Sequence, residues 1–342
     1  MSEPVLEVRD LRVEFDVLDG RLPAVAGVDL TLRRGEILAL VGESGSGKSA
    51  LSMSLVGLNR GPRTHISGEV SFGGVNLVEA RESELRRVRG KDITVVFQDA
   101  LAALNPLHRA GAQVSEMIRT HADVSRAAAW ERSVELLGEV GIANPGENAR
   151  AYPHQLSGGM RQRVMIAMGL ANDPAVLIAD EPTTALDVTI QAQVLRVLER
   201  LRAEHGTSII IITHDLGVVA EIADRVAVMY AGRIVEQGTR AEVLESPQHP
   251  YTMGLLASVP PIDGPVAERL PAIPGSPLTG IDRPPGCAFA PRCAAAHDAC
   301  SSPPDLTRRF GGPGHLDACV LDEPGRAAVR GGAAVHQGEG GP

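Results

Sequence analysis

The stretch ILALVGESGSGKSALSMSLVGL, residues 37–58, restricts the fold more than any other part of this chain. Its first five residues are continuously aliphatic, the pattern of a strand buried on both faces. SALSMSLVGL then reads as a helix, and between the two lies GESGSGKS (42–49) with GxxxxGK[ST] spacing. A buried strand that feeds a helix through a glycine-rich turn requires a layered α/β architecture. Gly42, Gly45 and Gly47 let the backbone curl so that successive N–H groups converge on an anion. The helix N-terminus adds partial positive charge. Lys48 has the reach for the β- and γ-phosphates of a nucleotide, and the Ser49 hydroxyl can ligate Mg²⁺.

Other runs complete the sheet. ITVVF (93–97), VLIAD (176–180) and SIIIIT (208–213) are short, aliphatic and bounded by polar residues, again as buried strands. IQAQVLRVLERL (190–201) sets Ile190, Val194, Val197, Leu198 and Leu201 on one helical face. Strands alternating with helices predict a largely parallel core sheet, whereas LEVRDLRVEF near the N-terminus alternates as in a half-exposed antiparallel sheet. VLIADEP carries Asp180 and Glu181 at a strand end, on the sheet edge where the glycine-rich loop lies. There Asp180 would hold Mg²⁺ and Glu181 would polarise an attacking water.

LSGGMRQRVMIAMGLA (156–171) repeats the physics of the first loop. Ser157, Gly158 and Gly159 precede a helix with apolar Val164, Ala167, Met168 and Ala171, which makes a second anion cradle. One chain thus has two phosphate loops but a single Lys-Ser and a single Asp-Glu set. Two copies facing head to tail would sandwich two nucleotides.

Composition bounds the partners. A net charge of -9 and a pI near 5.6 argue against a surface built to grip nucleic acid. The N-terminal residues are charged throughout and lack an apolar signal region. No run of 18 apolar residues spans a bilayer, so a cytosolic chain is expected, where disulfides are rare. From Pro247 onward lie 16 of the 24 prolines, and regular patterns thin out. Three segments are therefore expected: residues 1–245, an irregular extension 246–325 and a disordered tail 326–342.

These motifs, in this order, resemble the nucleotide-binding subunit of ATP-binding-cassette (ABC) systems. GESGSGKS is similar to the Walker A loop, VLIADEP to Walker B, LSGGMRQR to the signature motif and TTALD (183–187) to the D-loop. Gln98 in VFQD resembles the Q-loop, and His214 in ITHD the switch histidine. The resemblance implies a RecA-like parallel core, an antiparallel β subdomain and a helical subdomain. It also implies ATP hydrolysis with Mg²⁺. The implied catalytic set is Glu181, His214, Gln98 and Lys48. ATP contacts would come from Phe15, Gly42, Glu43, Ser44, Gly45, Ser46, Gly47, Lys48, Ser49, Ala50 and Gln98, with Mg²⁺ held by Ser49, Asp180 and Gln98. Leu156, Ser157, Gly158, Gly159 and Met160, with Asp187, would close the partner's site across a head-to-tail dimer.

FQDALAALNPLHRAG (97–111), SPQHPYTMGLLASVP (246–260), PAIPGSPL (271–278) and GCAFAPRC (286–293) resemble the peptide and nickel importer ATPases. Ala100 and Ala103 depart from the Pro and Ser usual there, and Ser46 points to the D-type rather than the F-type subunit. The implied cargo is a di- or oligopeptide. Nickel, glutathione or an opine is the alternative within transport, and a soluble ATPase acting on nucleic acid or ribosomes the alternative outside it. The implied partners are an F-type ATPase, two permease subunits and, indirectly, an extracytoplasmic binding protein. The implied location is the cytoplasmic face of the inner membrane, and no nucleic acid is expected. Cys287, Cys293, Cys300 and Cys319 are the chain's four cysteines. Four unrelated thiols, structural zinc and a cluster all remain open from spacing, and the resemblance implies a [4Fe–4S] centre. Arg292, His297 and His315 are expected to be solvated.

Overall fold

The computed structural model describes residues 3–184, 187–259, 272–278, 280–281 and 283–338. Among the described residues, eleven strands fall into two sheets: β1 (Pro4–Val17), β2 (Gly20–Arg33), β3 (Ile37–Val41), β4 (Thr64–Phe72), β5 (Val75–Asn76), β6 (Ile93–Val96), β7 (Val176–Asp180), β8 (Ser208–Thr213), β9 (Arg225–Tyr230), β10 (Arg233–Thr239) and β11 (Leu316–Asp317). The larger sheet has the order β11-β10-β9-β3-β8-β7-β6. From β9 to β6 it is parallel, with Ile37 opposite Ile209 and Val41 opposite Thr213.

Residues of β3, β7 and β8 are buried on both faces, which is why their sequences run aliphatic without alternation. Successive side chains serve opposite layers. Ile37, Ala39 and Val41 join a core with the helices Gly158–Leu170, Val188–His205 and Leu216–Ile222. Leu38 and Leu40 join a second core with the helix Lys48–Leu55 and the antiparallel sheet. That smaller sheet, β2-β1-β4-β5, pairs Val8 with Leu30 and with Val70. Because the central strands are parallel, Val41, Asp180 and Thr213 end on one edge. The segments that follow them supply the functional residues.

The extension is not a separate body. The helix Pro250–Ala257 and the side chain of Phe289 enter the first core, where Phe289 meets Tyr230 and Tyr251 with ring centroids 5.3 and 5.4 Å apart. β11 lengthens the large sheet by pairing with β10. Behind it lies a buried polar network. His315 Nε2 is 2.7 Å from Glu236 Oε1, and Arg326 donates to Asp317 Oδ1 at 2.8 Å.

Three sequence expectations change here. His315 is buried, because Glu236 offers it a partner inside the sheet edge. Arg292 is buried and paired, as described below. Of the tail expected to be disordered, 326–342, the part up to 338 lies in a helix, Glu323–Gly338, and residues 339–342 lie outside the described residues. Its anchor is Arg326, fully buried, which also donates to the carbonyls of Leu321, Gln248 and Cys319. Composition could not reveal that anchor. His297 is exposed, as expected.

Candidate functional site

The glycine-rich loop leaves β3 at Val41 and wraps the start of the helix Lys48–Leu55. Two glycines are dictated by close approach. A Cβ on Gly42 would lie 2.2 Å from the Met229 carbonyl oxygen, and one on Gly47 would lie 2.2 Å from that of Ala24. Both have positive φ, 154° and 105°, where side chains are strained. Lys48 is buried, and its Nζ donates to the carbonyls of Gly42 at 2.7 Å and Glu43 at 2.9 Å. Burial lowers its pKa, opposed by the charges of Glu181, Asp180 and Glu43.

The acidic pair stands beside it. Asp180 ends β7, and burial raises its pKa against a hydrogen bond from the Ser49 hydroxyl. Hydroxyl and carboxylate together are a hard oxygen pair of the kind Mg²⁺ selects, so these residues fit the expected ion. Glu181 follows with φ 48°, a left-handed conformation that is costly for a residue with a side chain. The turn aims its carboxylate at three neighbours. Gln98 Nε2 donates to Oε2 at 2.8 Å, Thr184 Oγ1 donates to Oε2 at 2.8 Å, and His214 Nδ1 lies 3.1 Å from Oε1. Burial pushes the Glu181 pKa up, but the contacts from Thr184 and His214 outweigh it, and the net shift is downward. Sequence reading identified Gln98, Glu181 and His214, and it missed Thr184 as a partner of the carboxylate.

The other expected residues lie elsewhere on the fold. Ser157 caps the helix Gly158–Leu170, its hydroxyl accepting from the Met160 N–H at 3.3 Å. Gly158 is exposed and Leu156 is buried beneath it. Gly159 lies against Ile190, where a Cβ would come within 2.7 Å of Cγ2. Asp187 caps the helix Val188–His205. Ala185 and Leu186 of the expected D-loop lie outside the described residues. Phe15 is half-buried on β1 and packs on the second core.

Two extension residues that the sequence analysis did not connect with this site reach the loop. The Tyr251 hydroxyl accepts from the Glu43 N–H at 2.8 Å. Arg292 grips the Glu43 carboxylate with both terminal nitrogens, at 2.6 and 3.1 Å. Both residues stand in the quoted motifs HPYT and GCAFAPRC, but nothing in those motifs says what they touch.

Cys287, Cys293, Cys300 and Cys319 line one cavity of about 10 Å³, room for about one water. Their thiols are unpaired. Burial raises the pKa of Cys287 and Cys293 and pushes Cys319 to about 11. Among the described residues no group of three or more His, Cys, Asp or Glu is placed to hold a metal ion. The four thiols thus share one cavity, but among the described residues nothing supports the [4Fe–4S] centre that the resemblance implies.

A parallel sheet with a glycine-rich phosphate loop, an acidic strand end and a capped serine-glycine turn defines a nucleotide-binding cassette. The ABC transporter family model matches residues 25–184, and the model of the oligopeptide/dipeptide transporter C-terminal region matches residues 235–300. The oligopeptide transport ATP-binding protein OppD of Bacillus subtilis is 52% identical over 293 residues, covering 85% of this chain and 82% of the relative. OppD of Salmonella typhimurium is 48% identical, covering 92% and 93%. A solved dimer of a bacterial ABC transporter cassette superposes with a TM-score of 0.63 at 28% identity, covering 69% of this chain and 98% of that one. A post-hydrolysis cassette dimer bound to ADP and Pi also scores 0.63. The chain belongs to the ABC transporter ATP-binding proteins, in the oligopeptide and dipeptide transport group.

Proposed function

We infer that this chain is the ATP-hydrolysing, energy-coupling subunit of an ABC importer for peptides. The observation that carries the reading is the convergence of Gln98, Thr184 and His214 on Glu181, beside the Lys48 loop. Phosphoryl transfer to water needs positioning and charge neutralisation more than covalent help. Lys48 and the loop amides bind the β- and γ-phosphates. Ser49 and Asp180, with Gln98 as a further ligand, would hold Mg²⁺, which would supply neutralisation of phosphate charge. Glu181 accepts a hydrogen bond from the attacking water and orients it. His214 holds the Glu181 carboxylate and faces the γ-phosphate.

In this reading the Leu156–Met160 turn and Asp187 close the site of a second, F-type ATPase in a head-to-tail dimer. Phe15 stacks on the adenine. Two permease subunits dock near Gln98, where Leu101 and Leu107 are exposed. No helix among the described residues is long and apolar enough to cross a membrane. Docked on the permease subunits, the chain would sit on the cytoplasmic face. The cargo class rests on the names of the relatives. The reading needs no [4Fe–4S] cluster at Cys287, Cys293, Cys300 and Cys319. Iron and sulfide at about four each per chain, in protein prepared without oxygen, would establish one there.

The test is reconstitution with the permease subunits and binding protein in vesicles. Peptide uptake should require ATP and stop with Glu181→Gln. ATP-dependent uptake undiminished in that variant would overturn the assignment.

A further inference from the structure

We propose that Arg292 is a positioning residue for the phosphate loop: by holding Glu43 it fixes the peptide on which Lys48 rests. This rests on the loop being the ATP site.

The argument starts from isolation in sequence. Arg292 and Glu43 are 249 residues apart, yet they form a two-point guanidinium–carboxylate contact. The side chain of Arg292 is 4% exposed and that of Glu43 25% exposed. Such a fork fixes direction as well as distance. Arg292 is itself held from behind. Its Nε donates to the Pro274 carbonyl at 2.8 Å, and its guanidinium lies 5.8 Å from the Tyr230 ring centroid and 5.9 Å from that of Phe289. The pairing with Glu43 raises its pKa above the ordinary value.

Glu43 is gripped at a second point, since its N–H is bound by Tyr251. Both the main chain and the side chain of one loop residue are therefore held by the extension. On the other side of the same residue, the Glu43 carbonyl accepts from Lys48 Nζ. A shift of Glu43 would move the resting place of the ammonium that must meet the phosphates. Arg283, also from the extension, donates to the carbonyls of Ala231 and Pro23. The neighbouring Ala24 carbonyl is the group that Gly47 approaches. The loop is thus buttressed by the extension on two sides. A staple that merely fastened the extension could have landed on any surface, but this one lands on the loop.

The experiment measures ATP affinity, kcat and melting temperature for Arg292→Lys, Glu43→Gln and the double variant in the full chain. Lysine keeps the charge and loses the fork. The expected result is about a tenfold weaker ATP affinity in each single variant, with kcat at saturation little changed in Arg292→Lys. The double variant should be no worse than either single one, because both break the same contact. Wild-type ATP affinity in the single variants, with only a lower melting temperature, would make the pair a structural staple and overturn the inference. Losses that multiply in the double variant would overturn it as well. If Arg292→Lys fails to fold, Glu43→Gln decides alone: unchanged affinity refutes the inference. Lys48→Ala serves as control. Unchanged ATP binding there would refute the ATP site itself, and the inference with it.

Discussion

Gln98 Nε2 and Glu181 Oε2 are 2.8 Å apart although 83 residues separate them, and the contact ties the end of β6 to the end of β7. Gln98 therefore occupies the carboxylate that would orient the attacking water. A permease subunit that moved the segment around Gln98 would change the freedom of Glu181. In the proposed importer this hydrogen bond would be one link between transport and hydrolysis.

Glu181→Gln should keep ATP binding, because Lys48 and the loop amides are untouched. It should lower turnover by at least about a hundredfold, the scale of a lost general base. The variant should also accumulate as an ATP-bound dimer. Single-turnover phosphate release and size-exclusion chromatography with ATP report both effects, and wild-type turnover would remove Glu181 from its role.

Lys48→Ala should weaken ATP binding by about a hundredfold or more, since it removes a buried charge aimed at the phosphates. Fold should be retained. The part-buried Glu43 carbonyl can turn to water, and the buried Gly42 carbonyl left without its partner lowers stability by about 1–3 kcal/mol without unfolding the chain. Titration with a fluorescent ATP analogue and circular dichroism of the same sample measure the two separately.

Ser157→Arg should leave ATP affinity of the isolated chain unchanged and abolish ATP-driven dimerisation. Ser157 is exposed at the start of the helix Gly158–Leu170, and in the proposed dimer that turn faces the partner's γ-phosphate. Alanine is the control, since it loses only the cap, worth about 1 kcal/mol. Dimerisation of the arginine variant at wild-type ATP concentrations would exclude this turn from the interface.

The legible parts of this molecule were those whose chemistry is local. The glycine-rich loop, Asp180 and Glu181 announce themselves because a strand end and a phosphate cradle need particular residues in sequence order. The strands β3, β6, β7 and β8 were legible because burial on both faces leaves an unmistakable aliphatic run. The illegible parts join distant segments. Arg292 on Glu43, His315 on Glu236 and Arg326 on Asp317 each pair residues that look solvated in isolation. Burial of a charge depends on a partner that only the fold supplies. The helix Glu323–Gly338 escaped for a related reason, because its anchoring arginine reads as one more polar residue in a low-complexity tail.

Stability should fall as the solution is acidified, in part through His249. This imidazole is fully buried, and burial, helped by the nearby Arg326 charge, lowers its pKa from 6.5 to about 3. Its Nδ1 accepts from the Tyr251 N–H at 3.1 Å, so the neutral ring is the form the fold uses. The unfolded chain takes up a proton near the ordinary value, and the folded one only near the lowered value. Between those limits the unfolded state binds more protons. The contribution is therefore complete above the ordinary pKa and is lost as pH drops through the window, at about 1.4 kcal/mol per unit. His249→Gln should be less stable near neutral pH yet show a shallower decline. Urea unfolding of both proteins at several pH values between about 7 and about 5 measures the slopes, and equal slopes would exclude His249 as a source of the acid sensitivity.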